Sequence, residues 1–388
     1  MKILCMSYEY PPIGGGGGIN VAHPLAATLV SRGHSVDVVT SGMRGVPETE
    51  TIDGVKVHRV RCVRANRHYT TTPELMTFIW PAWRKALELT RTHQFDINHT
   101  HFAVPTGVAS YLLYRKTGLP YITTIHGSDV PGYNPDRFRI THSLVRPAWR
   151  TIMSNSARVV SASRFLKDLA QSDIDVPVDV VRNGYSSKFN GDTFGGKRNR
   201  VLVVTRMFRR KGVQHFIEAI GSLEHDWEIV VAGDGPYLPQ VKAKARRMGL
   251  NVNFVGFVQG DTLAELYASS KIFVFPSLQE NSPAVLLEAM DAGCAIITAN
   301  SAGCAELVGN AGIATTPGRV DQIRNALVLL MTDEERIATL SARAAERIRR
   351  FRWPRIASQY ERIMRHALAA PSRLALEGSA TASAGNRK

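Results

Sequence analysis

The 388-residue sequence has few cysteines and no long hydrophobic run, and both features restrict its interpretation. Its four cysteines (Cys5, Cys62, Cys294 and Cys304) include no Cys-x-x-Cys pair, which argues against a disulfide framework. No segment reaches the roughly 18 uncharged apolar residues that a spanning helix needs. The first eight residues are typical of a buried strand and lack the features of a signal peptide. We therefore expect reduced, mostly packed thiols and a cytoplasmic location.

Length and charge restrict the alternatives further. With 388 residues, 44% of them hydrophobic, the chain is long enough for two α/β domains with separate cores. The net charge of +15 favours partners that carry phosphate, whether nucleic acid, anionic lipid or a nucleotide substrate. Charge alone does not distinguish these partners, so the choice depends on the motifs.

Two successive sets of alternating strand and helix patterns organise the chain. A strand over 1–8, a glycine-rich loop, a helical pattern over 20–32 and a strand over 35–40 together predict a βαβ unit. A second set begins with the strand at 201–205, after a polar stretch. Further strands are predicted at 95–99, 121–124, 159–162, 178–181, 228–232, 253–255, 272–276 and 295–298.

This pattern predicts an α/β fold with two Rossmann-like, doubly wound parallel-sheet domains that face a central cleft. The expected segments are 1–185 for the first domain, 186–200 for a linker, 201–350 for the second domain, 351–370 for a carboxyl-terminal helix that packs back on the first domain, and 371–388 for a disordered tail.

Five glycines, from Gly14 to Gly18, separate the first strand from the first helix. Without Cβ atoms, Gly15 and Gly16 let the backbone approach a ligand closely, and the amides of the following helix face an anion. The loop does not fit the dinucleotide-binding pattern, because Ile19 falls where the third glycine belongs, and it lacks the Gly-Lys-Ser/Thr ending of a P-loop. We predict a ligand-approach loop, and a flexible turn is the alternative.

Cations and a glycine turn follow two strands of the second domain. The strand at 201–205 leads directly to Arg206 and Lys211, which places both at the crevice where open α/β sheets bind ligands. There they would stabilise negative charge that develops on a departing diphosphate. Gly233 and Gly235 follow the next strand and would let the backbone lie beside a nucleotide base. A solvated basic turn and an ordinary tight turn are the alternatives.

Two glutamates give the strongest local signal. A buried strand is followed by Glu280, Asn281, Ser282 and Pro283, and we predict that Ser282 caps a helix with Pro283 at its first position. Glu288 lies five residues beyond Pro283, about 7.5 Å along the helix axis. This separation suits one carboxylate on a sugar hydroxyl and the other on a ribose. Ordinary surface glutamates are the alternative.

A histidine and an aspartate follow the strand at 121–124 of the first domain. Asp129 is placed to fix the tautomer of the His126 imidazole, and a turn histidine is the alternative. We predict no metal site, because no third ligand has suitable spacing beside the residues Asn98, His99 and His101. The Asp-x-Asp sequence at 173–175 is predicted to be a solvated loop.

These residues, in this order, resemble the retaining, metal-independent glycosyltransferases of the GT-B group that are called family 4. The resemblance is carried by the glycine-rich loop, His126-Gly-Ser-Asp129, Asn183-Gly184, Arg206 with Lys211-Gly212, Gly233-Asp-Gly-Pro236, and Glu280 with Glu288. Weaker matches are Ser301 to Glu306, in which Ala302 replaces a glycine of the family, and Phe351-Arg-Trp353. The matches extend from about residue 1 to about residue 365.

The resemblance implies that Arg206 and Lys211 hold the donor diphosphate and that Glu280 contacts the transferred sugar. It implies that Glu288 contacts the ribose and His126 the donor sugar near its anomeric carbon. Further substrate-binding residues are Gly15, Gly16, Asp129, Asn183, Gly233, Gly235, Asn281, Ser282 and Pro283. The implied hexosyltransferase uses no metal and no cofactor besides its nucleotide-sugar substrate, retains the anomeric configuration and needs no protein nucleophile. We expect Glu280→Ala and Lys211→Ala to nearly abolish transfer with folding intact.

Donor and acceptor vary within this family, and we favour a UDP-sugar over GDP-mannose. The run at 56–67 contains five bases and no acid, and an aromatic and apolar segment follows it. The bases are Lys56, Arg59, Arg61, Arg64 and Arg67, and the following segment includes Tyr69, Phe78, Ile79, Trp80 and Trp83. This mixture suits a peripheral contact of 56–85 with the inner face of an anionic membrane, and an ordinary solvated face is the alternative.

We therefore expect a cell-envelope glycan or a lipid-linked acceptor. The first competing class is a GT-B sugar-nucleotide epimerase, which turns over its substrate without an acceptor. A basic nucleic-acid-binding protein is a remote alternative, because the bases are spread through both halves without a recognisable nucleic-acid-binding motif.

Overall fold

The computed structural model describes residues 1–14, 18–67, 70–133, 135–187, 189 and 196–369. The chain divides into two compact units. The first unit contains Met1–Gly184 and resumes at Trp353, and the second unit is Tyr185–Arg352. The predicted tail at 371–388 lies outside the described residues, as do Gly15 and Gly16.

Each unit is built around one sheet. The strands of the first unit are β1 (Lys2–Met6), β2 (Ser35–Ser41), β3 (Thr49–Ile52), β4 (Val55–Val60), β5 (Ile97–His101), β6 (Tyr121–Ile125), β7 (Arg158–Ser161) and β8 (Val178–Val180). Those of the second unit are β9 (Arg198–Val204), β10 (Glu228–Ala232), β11 (Val252–Gly256), β12 (Ser270–Phe275), β13 (Ala295–Ala299) and β14 (Gly312–Thr315).

Helices cover the faces of both sheets. In the first unit they are α1 (Ile19–Ser31), α2 (Thr72–Met76), α3 (Ile79–Thr92), α4 (Thr106–Thr117), α5 (Pro135–Asn155) and α6 (Arg164–Gln171). In the second unit they are α7 (Val213–Ile220), α8 (Leu238–Arg247), α9 (Gly260–Ala268), α10 (Ala284–Asp291), α11 (Ala302–Val308), α12 (Val320–Thr332) and α13 (Glu334–Ile348). The chain then returns to the first unit as α14 (Trp353–Ala369).

The strand order of the first sheet is β3-β4-β2-β1-β5-β6-β7-β8, and its strands are parallel except for β3, which pairs antiparallel with β4. Neither β3 nor β4 was predicted, because the alternating charged residues of the Val55–Val60 strand were interpreted as part of a basic surface run. Alternation of this kind is typical of a strand with one buried face. The sheet is therefore mostly rather than entirely parallel.

The second sheet has the order β11-β10-β9-β12-β13-β14, and all of its described pairings are parallel. Side chains of β9 alternate between two cores, with Val201 and Val203 in one and Leu202 in the other. Helices on both faces bury residues 201–204 of this strand, which explains their continuous apolar sequence. Because β9 starts at Arg198, its first residues fall within the predicted linker at 186–200.

The helix α14 belongs to the core of the first unit. Its buried residues Trp353, Ile356 and Tyr360 join the apolar cluster that contains β1 and α1. Outside this core, Glu361 Oε1 accepts a hydrogen bond of 2.6 Å from Arg32 Nε and lies 3.0 Å from His34 Nε2. Apolar burial and this charged cluster together fasten the helix to α1.

In both sheets the strand order reverses beside the first strand of the unit. One reversal lies between β1 and β5, and the other lies between β9 and β12. Open α/β sheets bind ligands outside the carboxyl ends of strands at such switch points. The topology therefore directs attention to the loops after these four strands. None of the described helices combines the length and the apolar character that crossing a bilayer requires.

Candidate active site

The basic turn at 206–212 follows β9 and packs against the loop after β12. Gly212 has a φ of +72°, and a Cβ on it would lie 2.0 Å from the carbonyl oxygen of Pro276. Only glycine permits this approach of the two backbones. The amide of Leu278 also donates a 2.9 Å hydrogen bond to the carbonyl of Arg210. The basic turn is thus fixed on the segment that carries Glu280.

This packing brings Lys211 and Glu280 together as a buried ion pair. The ammonium of Lys211 donates to Oε1 of Glu280, and the two side chains are only 8% and 13% exposed. Arg210 Nη1 lies 4.0 Å from the same oxygen. Burial and the charges of Arg210 and Arg206 lower the pKa of Lys211 to about 7. A carboxylate in contact with an ammonium acts in the opposite direction, because it stabilises the charged form. Two residues that the sequence selected independently are therefore in contact.

Arg206 and Glu288 lie on the segments that follow the same two strands. Arg206 is exposed, and its guanidinium lies 5.8 Å from the ring centroid of Phe208. Glu288 is half-buried in α10. Burial is the largest cause of the raised pKa of Tyr267, and the charge of Glu288 is the second largest. The charge of Glu288 also contributes to the raised pKa of Tyr185. The described neighbourhood of Glu288 thus contains two tyrosine side chains that the sequence did not identify.

Ser282 does not cap α10, contrary to the prediction. The helix begins at Ala284, Pro283 is the residue before it, and no side chain caps its amides. Instead, the Ser282 hydroxyl is buried and has no hydrogen-bond partner among the described atoms. Buried polar groups are nearly always paired, so this hydroxyl is a candidate contact for a bound ligand.

The loop after β13 supports this segment. The amide of Gly303 donates a 3.0 Å hydrogen bond to the carbonyl of Glu280, and Ser301 Oγ donates a 2.8 Å bond to the carbonyl of Ser277. A Cβ on Gly303 would lie 1.4 Å from the carbonyl oxygen of Asn281. The turn that holds Glu280 and Asn281 therefore rests on a close backbone contact with the start of α11.

Gly233 and Gly235 have a packing reason of their own. Their φ angles are +124° and +152°, and Cβ atoms on them would lie 1.8 Å from the Thr205 carbonyl oxygen and 2.5 Å from that of Met207. The amide of Met207 donates a 2.8 Å hydrogen bond to the carbonyl of Asp234. The glycines let this turn lie against the segment that contains Arg206. Their predicted place beside a nucleotide base stays a prediction.

In the first unit, His126 follows β6 and contacts residues that follow β5. Its Nε2 lies 3.2 Å from His101 Nδ1, and its ring centroid lies 4.3 Å from that of Phe102. Burial lowers the pKa of His126 to about 4, although the Asp129 charge acts in the opposite direction. Burial likewise lowers the pKa of His101 well below its usual value and that of His99 to about 3. These imidazoles are therefore neutral at pH 7.

Asp129 holds the backbone of the loop. Its Oδ1 accepts hydrogen bonds of 2.9 Å and 3.0 Å from the amides of His126 and Gly127, and its Oδ2 accepts one of 2.9 Å from the amide of Ala103. These three bonds are to backbone amides, so the expectation that Asp129 fixes the tautomer of the His126 imidazole stays a prediction. They join the loop after β6 to the loop after β5.

Phe102 connects the glycine-rich loop to His126. A Cβ on Gly18 would lie 2.4 Å from Cε2 of Phe102, so Gly18 packs directly on the phenyl ring. Phe102 has a φ of +70°, which is uncommon for a residue other than glycine. Sequence reasoning missed Phe102 and gave His101 no part in the site. Both residues lie at the end of β5, which is next to β1 at the switch point. This position in the chain could have identified them as candidate site residues.

Asn183 lies in the loop after β8, next to Gly184. A Cβ on Gly184 would lie 2.3 Å from the indole of Trp353, so this glycine is required where α14 begins.

Two further predictions, for the loop at 173–175 and for the basic run at 56–67, need correction. The segment 173–175 is a loop and Asp175 is exposed, as predicted, but the Asp173 side chain is only 4% exposed and pairs with Arg146 and Arg150.

Arg59 and Arg64 do not belong to a basic surface, because both are buried. The Arg59 guanidinium donates to the carbonyls of Pro47 and Pro11 at 3.0 Å and 2.6 Å. Arg64 donates to the Arg67 carbonyl at 3.1 Å, and that carbonyl accepts a 2.9 Å hydrogen bond from the amide of Gly14. Both arginines therefore hold the segment that leads into the glycine-rich loop.

Among the described residues, no group of three or more His, Cys, Asp or Glu side chains is arranged to hold a metal ion.

Two family models match adjoining parts of the chain. The model described as Glycosyltransferase Family 4 matches residues 15–189, and that described as Glycosyl transferases group 1 matches residues 187–347. The chain is 29% identical to the uncharacterized glycosyltransferase MJ1607 of Methanocaldococcus jannaschii, over 86% of this chain and 90% of that protein. It is 26% identical to the N-acetyl-alpha-D-glucosaminyl L-malate synthase of Bacillus anthracis, over 94% and 97% of the two chains.

A solved structure shows the same fold. HepE of Anabaena, in complex with UDP and glucose, has a TM-score of 0.69 to this protein at 19% identity, covering 93% of this chain and 98% of that chain. The two sheets with their flanking helices therefore form a GT-B fold. The family models and the relatives show that the protein is a glycosyltransferase. It belongs to the group 1 glycosyltransferases, with an amino-terminal half of the family 4 type. The predicted pair of doubly wound sheets, the resemblance to GT-B glycosyltransferases and the predicted enzyme class are confirmed. Retention, metal independence and the central cleft stay predictions.

Proposed function

We propose that the protein transfers a hexose from a UDP-sugar to a cell-envelope glycan or a lipid-linked acceptor, with retention of configuration and without a metal ion. The observation that carries this proposal is the buried Lys211–Glu280 pair at the β9/β12 switch point. An ammonium suits a diphosphate, and a carboxylate suits sugar hydroxyls. Their pairing keeps both charges compensated before a donor binds.

On donor binding, the two charges exchange their mutual contact for contacts with the substrate. Lys211 then faces the diphosphate, and Glu280 accepts hydrogen bonds from hydroxyls of the sugar. Arg206, which is exposed beside this turn, supplies a guanidinium that can bind two phosphate oxygens at once. We assign the ribose to Glu288 and a further donor hydrogen bond to Ser282.

The chemical step breaks the bond between the anomeric carbon and the phosphate oxygen. The acceptor oxygen bonds to the same face of that carbon, and its proton passes to the departing phosphate. Arg206 and Lys211 stabilise the negative charge on the diphosphate as the bond breaks. In this proposal they supply the charge compensation that a divalent ion provides in other transferases. His126 donates or accepts a hydrogen bond at the donor sugar as a neutral imidazole.

The choice of donor and acceptor has weaker support. HepE was solved with UDP and glucose, and its common fold with this chain is the reason to test UDP-sugars first. A membrane-associated acceptor is supported by the net charge of +15.

A thermal-shift screen across UDP-, GDP- and ADP-sugars tests the donor, because a ligand that binds only the native state raises its stability. At a concentration 100 times the Kd this stabilisation is about 2.7 kcal/mol. We expect the largest shift with a UDP-sugar, a much smaller shift in Glu280→Gln, and an unchanged shift in the exposed control variant Glu335→Gln. A larger shift with a GDP-sugar would contradict the donor assignment.

Product analysis tests the reaction. We expect product with the anomeric configuration of the donor and a rate that EDTA does not change. An inverted product contradicts retention, and loss of the rate in EDTA contradicts metal independence. Conversion of the nucleotide sugar to its epimer without an acceptor would instead identify an epimerase.

A further inference from the structure

Three large apolar side chains are exposed close together on the first unit. Val63, Met76 and Trp80 are 61%, 44% and 56% exposed, and all lie within residues 63–80. The amide of Val63 donates a 2.9 Å hydrogen bond to Oγ1 of Thr77, which places Val63 beside the end of α2 where Met76 lies. Trp80 follows in the first turn of α3. We call Val63, Met76 and Trp80 the apolar patch.

Aromatic packing extends the apolar patch along α3. The ring centroids of Trp80 and Trp83 are 4.6 Å apart, and Trp83 is partly buried. The indole Nε1 of Trp83 is buried and has no hydrogen-bond partner among the described atoms, so Trp80 is the indole that can reach an interface. An indole combines a large apolar face with one polar N–H group, so it is stable where hydrocarbon meets water.

Positive charge surrounds the apolar patch. The segment 61–92 contains six bases and two acids. Arg61, Arg67 and Arg84 are exposed, and the Arg61 side chain is 93% exposed. Arg61 and Lys85 each form a 2.8 Å surface ion pair, with Glu48 and Glu88 respectively. Such pairs contribute little in water, so both bases stay available to other anions.

A cavity adjoins the basic rim. It has a volume of about 360 Å³, and Arg44, Arg59 and Arg61 line it together with Glu48 and residues near Gly42. The chain leaves the cavity at Cys62 and enters the apolar patch at Val63. Arg59 is already bound to backbone carbonyls and to Glu50, so Arg44 and Arg61 are the bases of this cavity that an anionic group would meet beside the apolar patch.

We propose that the apolar patch docks on an anionic lipid bilayer, with Trp80 at the interface and lipid phosphates on Arg44, Arg61 and Arg84. The patch alone would also suit an apolar protein surface, but the surrounding excess of bases matches a phosphate-rich one. Buried Arg64 and Arg59 take no part in this contact. The inference deepens the proposed function, because docking would bring the site to a lipid-linked acceptor.

Co-sedimentation with vesicles tests the docking surface. The full chain is mixed at 50 mM salt with vesicles of phosphatidylcholine alone or with about one third phosphatidylglycerol. We expect binding only to the anionic vesicles, and at least a tenfold lower partition coefficient in the double variant Met76→Glu, Trp80→Glu. Phe257→Glu is the matched control, because Phe257 is 72% exposed in the second unit. The control should bind like the wild type.

Nucleotide-sugar turnover without vesicles is measured on the same variants, and we expect it to be unchanged. Wild-type protein that stays in the supernatant with anionic vesicles overturns the docking proposal, and so does a double variant that binds like the wild type. Capture by duplex DNA in preference to anionic vesicles also overturns it. Vesicle binding without nucleotide-sugar turnover would support the docking surface and contradict the proposed reaction instead.

Discussion

Removing the charge of Lys211 should destabilise the second unit, contrary to the expectation that folding stays intact. In Lys211→Met the Glu280 carboxylate keeps its charge in a site where it is only 13% exposed. Breaking a fully buried ion pair costs about 3–5 kcal/mol. Because Arg210 stays 4.0 Å from the carboxylate, we expect a smaller loss, of about 2 kcal/mol.

The double variant separates stability from chemistry. Lys211→Met combined with Glu280→Gln leaves no unpaired charge, so its stability should return to within about 1 kcal/mol of the wild type. Transfer should stay at least about 100-fold below the wild-type rate in both variants, because the cation on the leaving group is missing. The assay is urea or thermal unfolding without ligand, followed by turnover on the same samples.

Lys242→Met is the control for the loss of a lysine over an aromatic ring. Lys242 Nζ lies 5.6 Å from the centroid of Phe254, much as Lys211 Nζ lies 5.8 Å from that of Phe275. The described contact of Lys242 is with this ring. We expect Lys242→Met to lower the free energy of unfolding by less than about 0.5 kcal/mol. If Lys211→Met costs no more than this control, or if the double variant is as unstable as Lys211→Met, the reasoning is refuted.

Three further predictions concern backbone, charge and protonation. Gly233→Ala should cost about 3 kcal/mol or more in urea unfolding, since its Cβ would meet the Thr205 carbonyl at 1.8 Å, whereas Gly249→Ala, with open space, should cost about 1 kcal/mol. The pKa of Glu361 is lowered to about 2 by Arg32, so its stabilisation is complete above pH 4.5 and is lost as pH falls towards 2. Glu361→Gln should therefore lower the free energy of unfolding at pH 7 by about 1 kcal/mol. It should also flatten the pH dependence of Tm between about pH 4.5 and 2, and an unchanged slope there would contradict this prediction. Since burial lowers the pKa of His126 to about 4, the pH profile of kcat/KM should show no titration of His126 between pH 6 and 8. A titration near pH 6.5 that disappears in His126→Asn would contradict this prediction.

Much of the architecture was predictable because buried parallel strands have apolar sequences. The strands β1, β9 and β12 stand out for this reason, and their order with the helices indicates doubly wound sheets. The strand β4 was missed because half of its residues are charged or polar, and β14 because it has only four residues. Both lie toward the sheet edge, where burial leaves a weaker pattern in the sequence.

The sequence indicated candidate site residues but not the contacts between them. Lys211 and Glu280 are 69 positions apart, and only the pairing of β9 with β12 makes them neighbours. The backbone bonds of Asp129 and the positive φ of Phe102 depend on how two loops meet, which no local pattern encodes. Arg59 and Arg64 were misassigned because a basic run does not reveal which of its members point inward.

The second unit is a continuous insertion in the chain of the first unit. The amide of Tyr185 donates a 2.7 Å hydrogen bond to the carbonyl of Phe351, so the entry and exit of this unit are adjacent. The host residues on either side are adjacent as well, because Gly184 lies against the indole of Trp353. A segment from another family member can therefore be exchanged for 185–352 through two neighbouring splice points. Chimeras of this kind would test the proposal that the second unit selects the donor, because the host portion stays the same.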